Sequence, residues 1–175
     1  MDDHSVLTDL ATRAAISDVI VAYTTAVDTR DWTSFRQLFT DDAVIDYTAA
    51  YGPAGGPDEI TRWISGLMTR DLVPDAMHAI TNVRISLAGD TAAASASFVN
   101  PDVMALGADQ PYLLFNAGRY SITLRQAGGR WRISRLRDEV MFSHRGALEH
   151  FSVESPGLPA ARARYPPDAQ KVGEK

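Results

Sequence analysis

The chain has 175 residues, of which 45% are hydrophobic and 22% charged, and its formal net charge is −5. That length suits one domain around a single sizeable core, and the acidic balance argues against nucleic acid, whose phosphates call for a basic face. Cysteine is absent, which excludes disulfides, zinc–thiolate centres, iron–sulfur clusters and thiol nucleophiles.

Other composition cues narrow the class further. No apolar run approaches the roughly 20 residues that cross a bilayer, so no membrane partner is expected. The acidic start, Met1-Asp2-Asp3-His4, lacks the basic and apolar regions of a secretory signal. A cytoplasmic location is therefore expected.

In chain order, residues 7–28 read as a long helix with Thr8 as N-cap and Asp9 in its first turn. Leu10, Ala14, Ile16, Ile20, Tyr23 and Val27 recur at helical spacing. Asp31 opens a second helix from Trp32 to Phe39, with Phe35, Leu38 and Phe39 inside. Asp41-Asp42 read as a turn and Ala43–Thr48 as a strand, and residues 50–57, rich in glycine and proline, as a loop. Asp58–Met68 is a third helix with Ile60, Trp63, Ile64 and Leu67 on one stripe.

Beyond residue 76 the period becomes that of strands. Met77–Leu87 and Thr91–Asn100 flank the hairpin signal Ala88-Gly89-Asp90, and Tyr112–Arg125 and Arg130–Phe142 flank Ala127-Gly128-Gly129. The apolar phase slips between Ile133 and Leu136, which predicts a β-bulge. Residues 101–111 read as a long loop at a pocket rim. From 146 to 175 the chain reads as an extended tail, beyond a domain spanning 1–145. Helices first and strands afterwards specify an α+β fold. Long antiparallel strands curl, and a helix across the concave side leaves a cone-shaped cavity suited to a small apolar ligand.

Four histidines, but no nucleophile elbow, P-loop or dinucleotide fingerprint, are present. Acid–base chemistry by carboxylate, imidazole and phenol is what remains. Asp28 sits at the C-terminal end of the first helix, where a negative charge is misplaced. Its plain reading is a solvated carboxylate paired with Arg30. His78 starts a strand and shares a face with Ile80 and Asn82 if that strand is regular. His144, Glu149 and His150 lack the spacing of a metal motif, so no metal and no cofactor are expected.

The stretches Arg13-Ala14-Ala15-Ile16, Val27-Asp28-Thr29-Arg30-Asp31-Trp32, Phe39-Thr40-Asp41-Asp42-Ala43 and Ile45-Asp46-Tyr47 carry a resemblance. So do His78-Ala79-Ile80-Thr81-Asn82 and Gly129-Arg130-Trp131-Arg132-Ile133. From about Thr8 to Phe142 the chain resembles the SnoaL-like branch of the nuclear transport factor 2-like superfamily. Within it, the chain is most similar to scytalone dehydratase and hexachlorocyclohexane dehydrochlorinase, with bile-acid dehydratase a further relative. The resemblance implies a cone-shaped α+β barrel: three N-terminal helices on a strongly curved, mostly antiparallel sheet.

It also implies cofactor-independent elimination from a small, largely apolar polycyclic or aromatic substrate. Asp28 and His78 fall on the family's Asp–His pair, Tyr47 matches a tyrosine with which scytalone dehydratase polarises its substrate, and Tyr23 stands where the bile-acid enzyme has a tyrosine and the dehydrochlorinase a lysine. Val27 stands where scytalone dehydratase has another tyrosine, so scytalone itself is not the expected substrate. Trp63 and Asn116 are expected to bind substrate. Phe98, Tyr112, Leu114, Phe115 and Met141 are expected in the pocket wall, with Arg119 and Arg137 on the surface. An isomerase like ketosteroid isomerase, a polyketide cyclase and a non-catalytic binding module are the alternatives. The resemblance implies a homo-oligomer, a trimer before a dimer, and the alternation of small residues such as Ala92, Ala94 and Ala96 or Ala93, Ser95 and Ser97 suits one sheet face to that association.

Overall fold

A computed structural model describes residues 3–105 and 110–147. Three helices precede the long strands: α1 (Asp3–Thr29), α2 (Trp32–Gln37) and α3 (Pro57–Leu67). The strands are β1 (Phe39–Asp46), β2 (Ala54–Gly55), β3 (Asp75–Ala76), β4 (Ala79–Ala88), β5 (Thr91–Met104), β6 (Tyr112–Ala127) and β7 (Arg130–Ala147). They form one mixed sheet in the order β2-β1-β7-β6-β5-β3, with β4 beside β3 on the same edge of β5. Only the β1–β7 pairing is parallel among the described strands. The sheet curls strongly and the helices pack on its concave side, the cone-shaped α+β barrel expected of the sequence.

The first helix begins earlier than expected. Thr8 is not its cap but lies one turn inside, with its hydroxyl donating to the His4 carbonyl. Ile16, Ile20, Tyr23 and Val27 are buried as the spacing predicts, whereas Leu10 and Ala14 are exposed. Extended to His4–Thr29, this helix is long and apolar enough by composition to cross a membrane, contrary to the expectation that no segment is. Its inner stripe is instead part of the core shared with the sheet.

Asp31 caps α2, its carboxylate accepting the Ser34 backbone N–H at 2.9 Å. Phe39 belongs to β1 rather than to the helix. Asp41 and Asp42 are not a turn. They are exposed residues within β1, in a stretch where its register against β7 breaks between Phe39 and Val44. Arg36 binds both Asp41 and Asp58, joining α2, β1 and the start of α3. Trp63 and Leu67 of α3 are half-buried, and Ile60 and Ile64 buried.

The expected bulge in β7 is present: Thr123 faces Arg135 and Leu124 faces Ile133, leaving Ser134 as the extra residue. This keeps both Ile133 and Leu136 in the core. A second irregularity, at Met141, was not legible. Beside it, a Cβ on Gly118 would lie 2.1 Å from the Glu139 carbonyl oxygen and 2.8 Å from the Phe98 ring. Only glycine lets β6 and β7 approach so closely there.

The loop expected at 101–111 is shorter than read. Residues 101–104 extend β5, and β3 pairs with them through Ala76–Asp102 and Asp75–Val103. Strand β7 likewise continues beyond Phe142 and His144, pairing with β6 as far as Ala147. Residues 148–175, which hold most of the expected tail together with Glu149 and His150, lie outside the described residues.

Candidate active site

Helix α1 ends in a way that presents Asp28. Arg30 adopts φ 60°, its N–H donates to the Val27 carbonyl at 3.1 Å, and the Asp31 N–H reaches back to the Ala26 carbonyl at 2.9 Å. This is the left-handed helix stop that satisfies the last carbonyls. The Arg30 guanidinium then donates to the carbonyls of Met68 (2.6 Å) and Val73 (2.5 Å), tying the helix end to the segment after α3. The plain alternative, a pairing of the Asp28 carboxylate with Arg30, is not made; of Asp28 the guanidinium reaches only the backbone oxygen, at 3.4 Å.

The Asp28 carboxylate turns to His78 instead. Oδ1 lies 2.6 Å from Nδ1 of the ring, and the His78 backbone N–H donates to both carboxylate oxygens, at 3.1 and 3.0 Å. These donors offset the unfavourable field of the helix end. His78 lies just before β4 and is mostly covered, its side chain 12% exposed. The expected shared face with Asn82 is not formed. Asn82 takes φ 53° at a register break between Thr81 and Arg84 and is exposed.

The ring of His78 lines a cavity of about 130 Å³. Asp28 stands behind it, so a proton on Nδ1 shared with the carboxylate leaves Nε2 as the nitrogen available for chemistry. Val27, Ala50, Trp63, Ile64, Leu67, Met68, Phe98, Met104 and Leu114 give the cavity apolar walls. Tyr23, Tyr47, Asn116 and Trp63, all expected in the site, line it too. The Trp63 ring packs 5.9 Å from that of Tyr47. Gly52 permits this, since a Cβ there would come within 2.8 Å of the indole.

The hydroxyls of Tyr23 and Tyr47 are 2.7 Å apart. One donates to the other, so the second retains an O–H for a ligand. Burial raises the pKa of both, and for Tyr23 the neighbouring Tyr47 and Tyr120 add to this. Both are neutral donors at physiological pH.

Four further lining residues were not singled out in the sequence: Asn100, Asp102, Tyr120 and Asp138. Asn100 donates to the Tyr120 hydroxyl at 3.2 Å, and Tyr120 stacks on Phe98 at 4.4 Å. Asp102 was hidden by reading 101–111 as a loop. The inward alternation Ala92, Ala94, Ala96, Phe98 continues through Asn100, Asp102 and Met104. Asp138 faces inward because the bulge at Ser134 resets the phase, placing it with Leu136 and opposite Tyr120. Burial pushes the carboxyls of Asp102 and Asp138 up to about 6, and His78 partly offsets this in each case.

Other expected wall residues fall elsewhere. Met141 is exposed at the second bulge, Phe115 does not line the cavity, and Tyr112 lies under the Arg145 guanidinium, 3.7 Å from the ring centre. Arg119 is on the surface, as expected, and exposed Arg137 approaches Asp46 at 3.9 Å. His144 is exposed on β7. Among the described residues no three His, Asp or Glu side chains are grouped to hold a metal ion.

Residues 8–137 match the SnoaL-like domain family, and the chain belongs to it. An uncharacterized protein of Mycobacterium tuberculosis is 31% identical over 135 residues, covering 76% of this chain and 89% of that one. Among solved structures, a type 2 hexachlorocyclohexane dehydrochlorinase (LinA) superposes with a TM-score of 0.73 at 20% identity, covering 86% of this chain and 98% of that one. A scytalone dehydratase-like protein of Novosphingobium aromaticivorans superposes with a TM-score of 0.68 at 18% identity, covering 79% and 90%. At these identities the two structures establish a common fold.

Proposed function

We propose that this SnoaL-like chain is a cofactor-independent lyase that eliminates water or a comparable leaving group from a small cyclic substrate, with Asp28 and His78 as its acid–base pair. The observation that carries the reading is the 2.6 Å contact between Asp28 Oδ1 and His78 Nδ1 at the wall of a largely apolar cavity. Nε2 removes a proton from the carbon next to the one bearing the leaving group. The C–H electron pair becomes the new double bond as the bond to the leaving group breaks. The imidazolium, stabilised by Asp28, returns its proton to the departing oxygen. The free O–H of the Tyr23–Tyr47 pair supports the negative charge that develops on a carbonyl or leaving group.

The cavity limits the substrate. About 130 Å³ is close to the roughly 150 Å³ that admits one benzene ring. A single ring fits inside, and the rest of a larger molecule extends through the mouth. Asn116 and Trp63, both in the cavity lining, are the proposed positioning contacts for that ring.

Isomerisation is the second reading, and a specific observation favours it. Two buried carboxyls whose pKa burial raises to about 6, Asp102 and Asp138, beside tyrosine hydroxyls are parts with which a proton can be moved along a substrate without loss of a leaving group. Incubation with a panel of cyclic alcohols, halides and ketones, followed by mass spectrometry, separates the two: elimination loses the mass of the leaving group and isomerisation conserves mass.

We also propose self-association through the outer sheet face, as a trimer before a dimer. Ala79, Val99, Ala117 and Phe142 stand in register across four strands. Phe142 is 67% and nearby Met141 63% exposed. Of the small residues considered for this role, Ala92, Ala94 and Ala96 face the core, leaving Ala93, Ser95 and Ser97 on the outer side.

A further inference from the structure

The cavity is apolar over most of its wall, but its polar atoms are unbalanced. Asn100, Asp102 and Asp138 are each more than nine-tenths buried. In each of them Oδ1 has no hydrogen-bond partner among the described residues. All three side chains line the same cavity. Leaving such atoms unpaired is costly, most of all for a carboxylate. The lining contains two aspartates and one histidine but neither lysine nor arginine. The Asp28 carboxylate, just behind the wall, pairs with His78, and that imidazole is the only basic side chain among the described lining residues to offset the two buried aspartates.

Asn100 and Asp102 are alternate inward positions of β5, and a strand brings such neighbours within about 7 Å of each other. A group seated between them adjoins two side chains whose Oδ1 atoms lack a partner. Asp138 adds negative potential from β7, and the charges of Asp138 and Asp102 both help to raise the pKa of Tyr120. Hydroxyl groups bring one donor each and no charge. An ammonium brings three donors, no acceptor and a positive charge that adds to the partial offset from His78.

We infer that the ligand of this cavity carries a protonated amine on its ring or on a short arm from it, seated between Asn100 and Asp102 and facing Asp138. The inference rests on the cavity being the substrate site. It names the substrate class as a small cyclic or aromatic amine rather than a wholly apolar ring.

Benzylamine and its neutral counterpart benzyl alcohol make the test, because they share size and shape. Binding is followed on the full chain by ¹³C-methyl signals of methionine. Met68 and Met104 line the cavity, while Met77 and Met141 are exposed and act as controls. The amine is expected to shift the Met68 and Met104 signals and to bind at least tenfold more tightly than the alcohol. Asp102→Asn keeps an acceptor oxygen but loses the charge, and should abolish most of that preference. Asp138→Asn should reduce it by less.

Equal affinity of the two compounds for the wild-type protein would overturn the inference, and this comparison needs no variant to fold. It would leave the Asp28–His78 chemistry standing. If neither compound moves Met68 or Met104, the cavity is not the binding site and both readings fall. If the amine is preferred but no elimination is found with any amine-bearing ring, the ligand class holds and the lyase reading fails.

Discussion

Asp28 holds His78 at two points: its Oδ1 lies 2.6 Å from the ring Nδ1, and its Oδ2 3.0 Å from the backbone nitrogen. A ring bond alone would fix the tautomer. The backbone bond also fixes where β4 begins, so the imidazole is oriented by the same carboxylate that stabilises its charged form. The helix stop at Arg30 and the two carbonyls its guanidinium binds set the position of that carboxylate in turn.

Removing one tyrosine hydroxyl tests the proposed electrophile. In Tyr47→Phe the Tyr23 hydroxyl loses its 2.7 Å partner, and the cavity keeps one O–H instead of a linked pair. We expect turnover to fall about 10- to 100-fold, with KM changed much less, because the contribution is made as charge develops. Equal effects on KM and none on kcat would mean that the pair only binds substrate.

Asp102 and Asp138 give stability a pH dependence of defined sign. Their carboxyls are pushed up to about 6 in the folded protein, above the roughly 3.9 of an unfolded aspartate. The folded state therefore binds more protons between about pH 4 and 6, and stability contributed by the protonated groups is lost as pH rises through that window. Asp102→Asn and Asp138→Asn remove the penalty. Each should gain on the order of 1 to 2 kcal/mol relative to wild type between pH 4 and pH 7.5. Denaturant titrations at both pH values check this; a pH-independent difference would show that neither carboxyl titrates in the window.

Gly118 holds β6 against β7 beside the cavity. A Cβ at 2.1 Å from the Glu139 carbonyl oxygen meets backbone, which cannot swing aside as a side chain can. Gly118→Ala should cost about 3 kcal/mol or more and lower Tm by several degrees. An unchanged Tm would mean that the strands separate there without cost.

The exposed row on the outer face sets the expectation for assembly. Phe142→Ser should shift the protein toward monomer in light scattering at micromolar concentration while leaving the core intact, because Phe142 is 67% exposed within one chain. A wild-type monomer at that concentration would refute self-association directly.

Much of this architecture is legible in the residues because periodicity reports burial. The α1 stripe from Ile16 to Val27, the two hairpins and the phase slip at Ser134 all follow from it. The Asp28–His78 contact is different. Neither helical nor strand spacing relates positions 50 residues apart, and only the resemblance joined them. Three features stayed hidden for physical reasons. Asp41 and Asp42 look like a turn because a register break tolerates exposed charges inside a strand. Asp102 looks like loop because a buried aspartate is atypical of a strand interior. Asp138 follows Leu136 in the alternation that the bulge resets, and it is hidden for the same reason as Asp102: a buried aspartate is atypical of a strand interior.

The most direct test of the Asp28–His78 proposal is turnover of His78→Ala and Asp28→Asn, measured on the first substrate of the panel that the wild-type protein converts. Asp28→Asn keeps an oxygen to accept from His78 but loses the charge that stabilises the imidazolium. We expect each change to reduce kcat by about 100-fold or more, with circular dichroism and Tm close to wild type. Near-normal kcat in both folded variants would contradict the proposed acid–base pair.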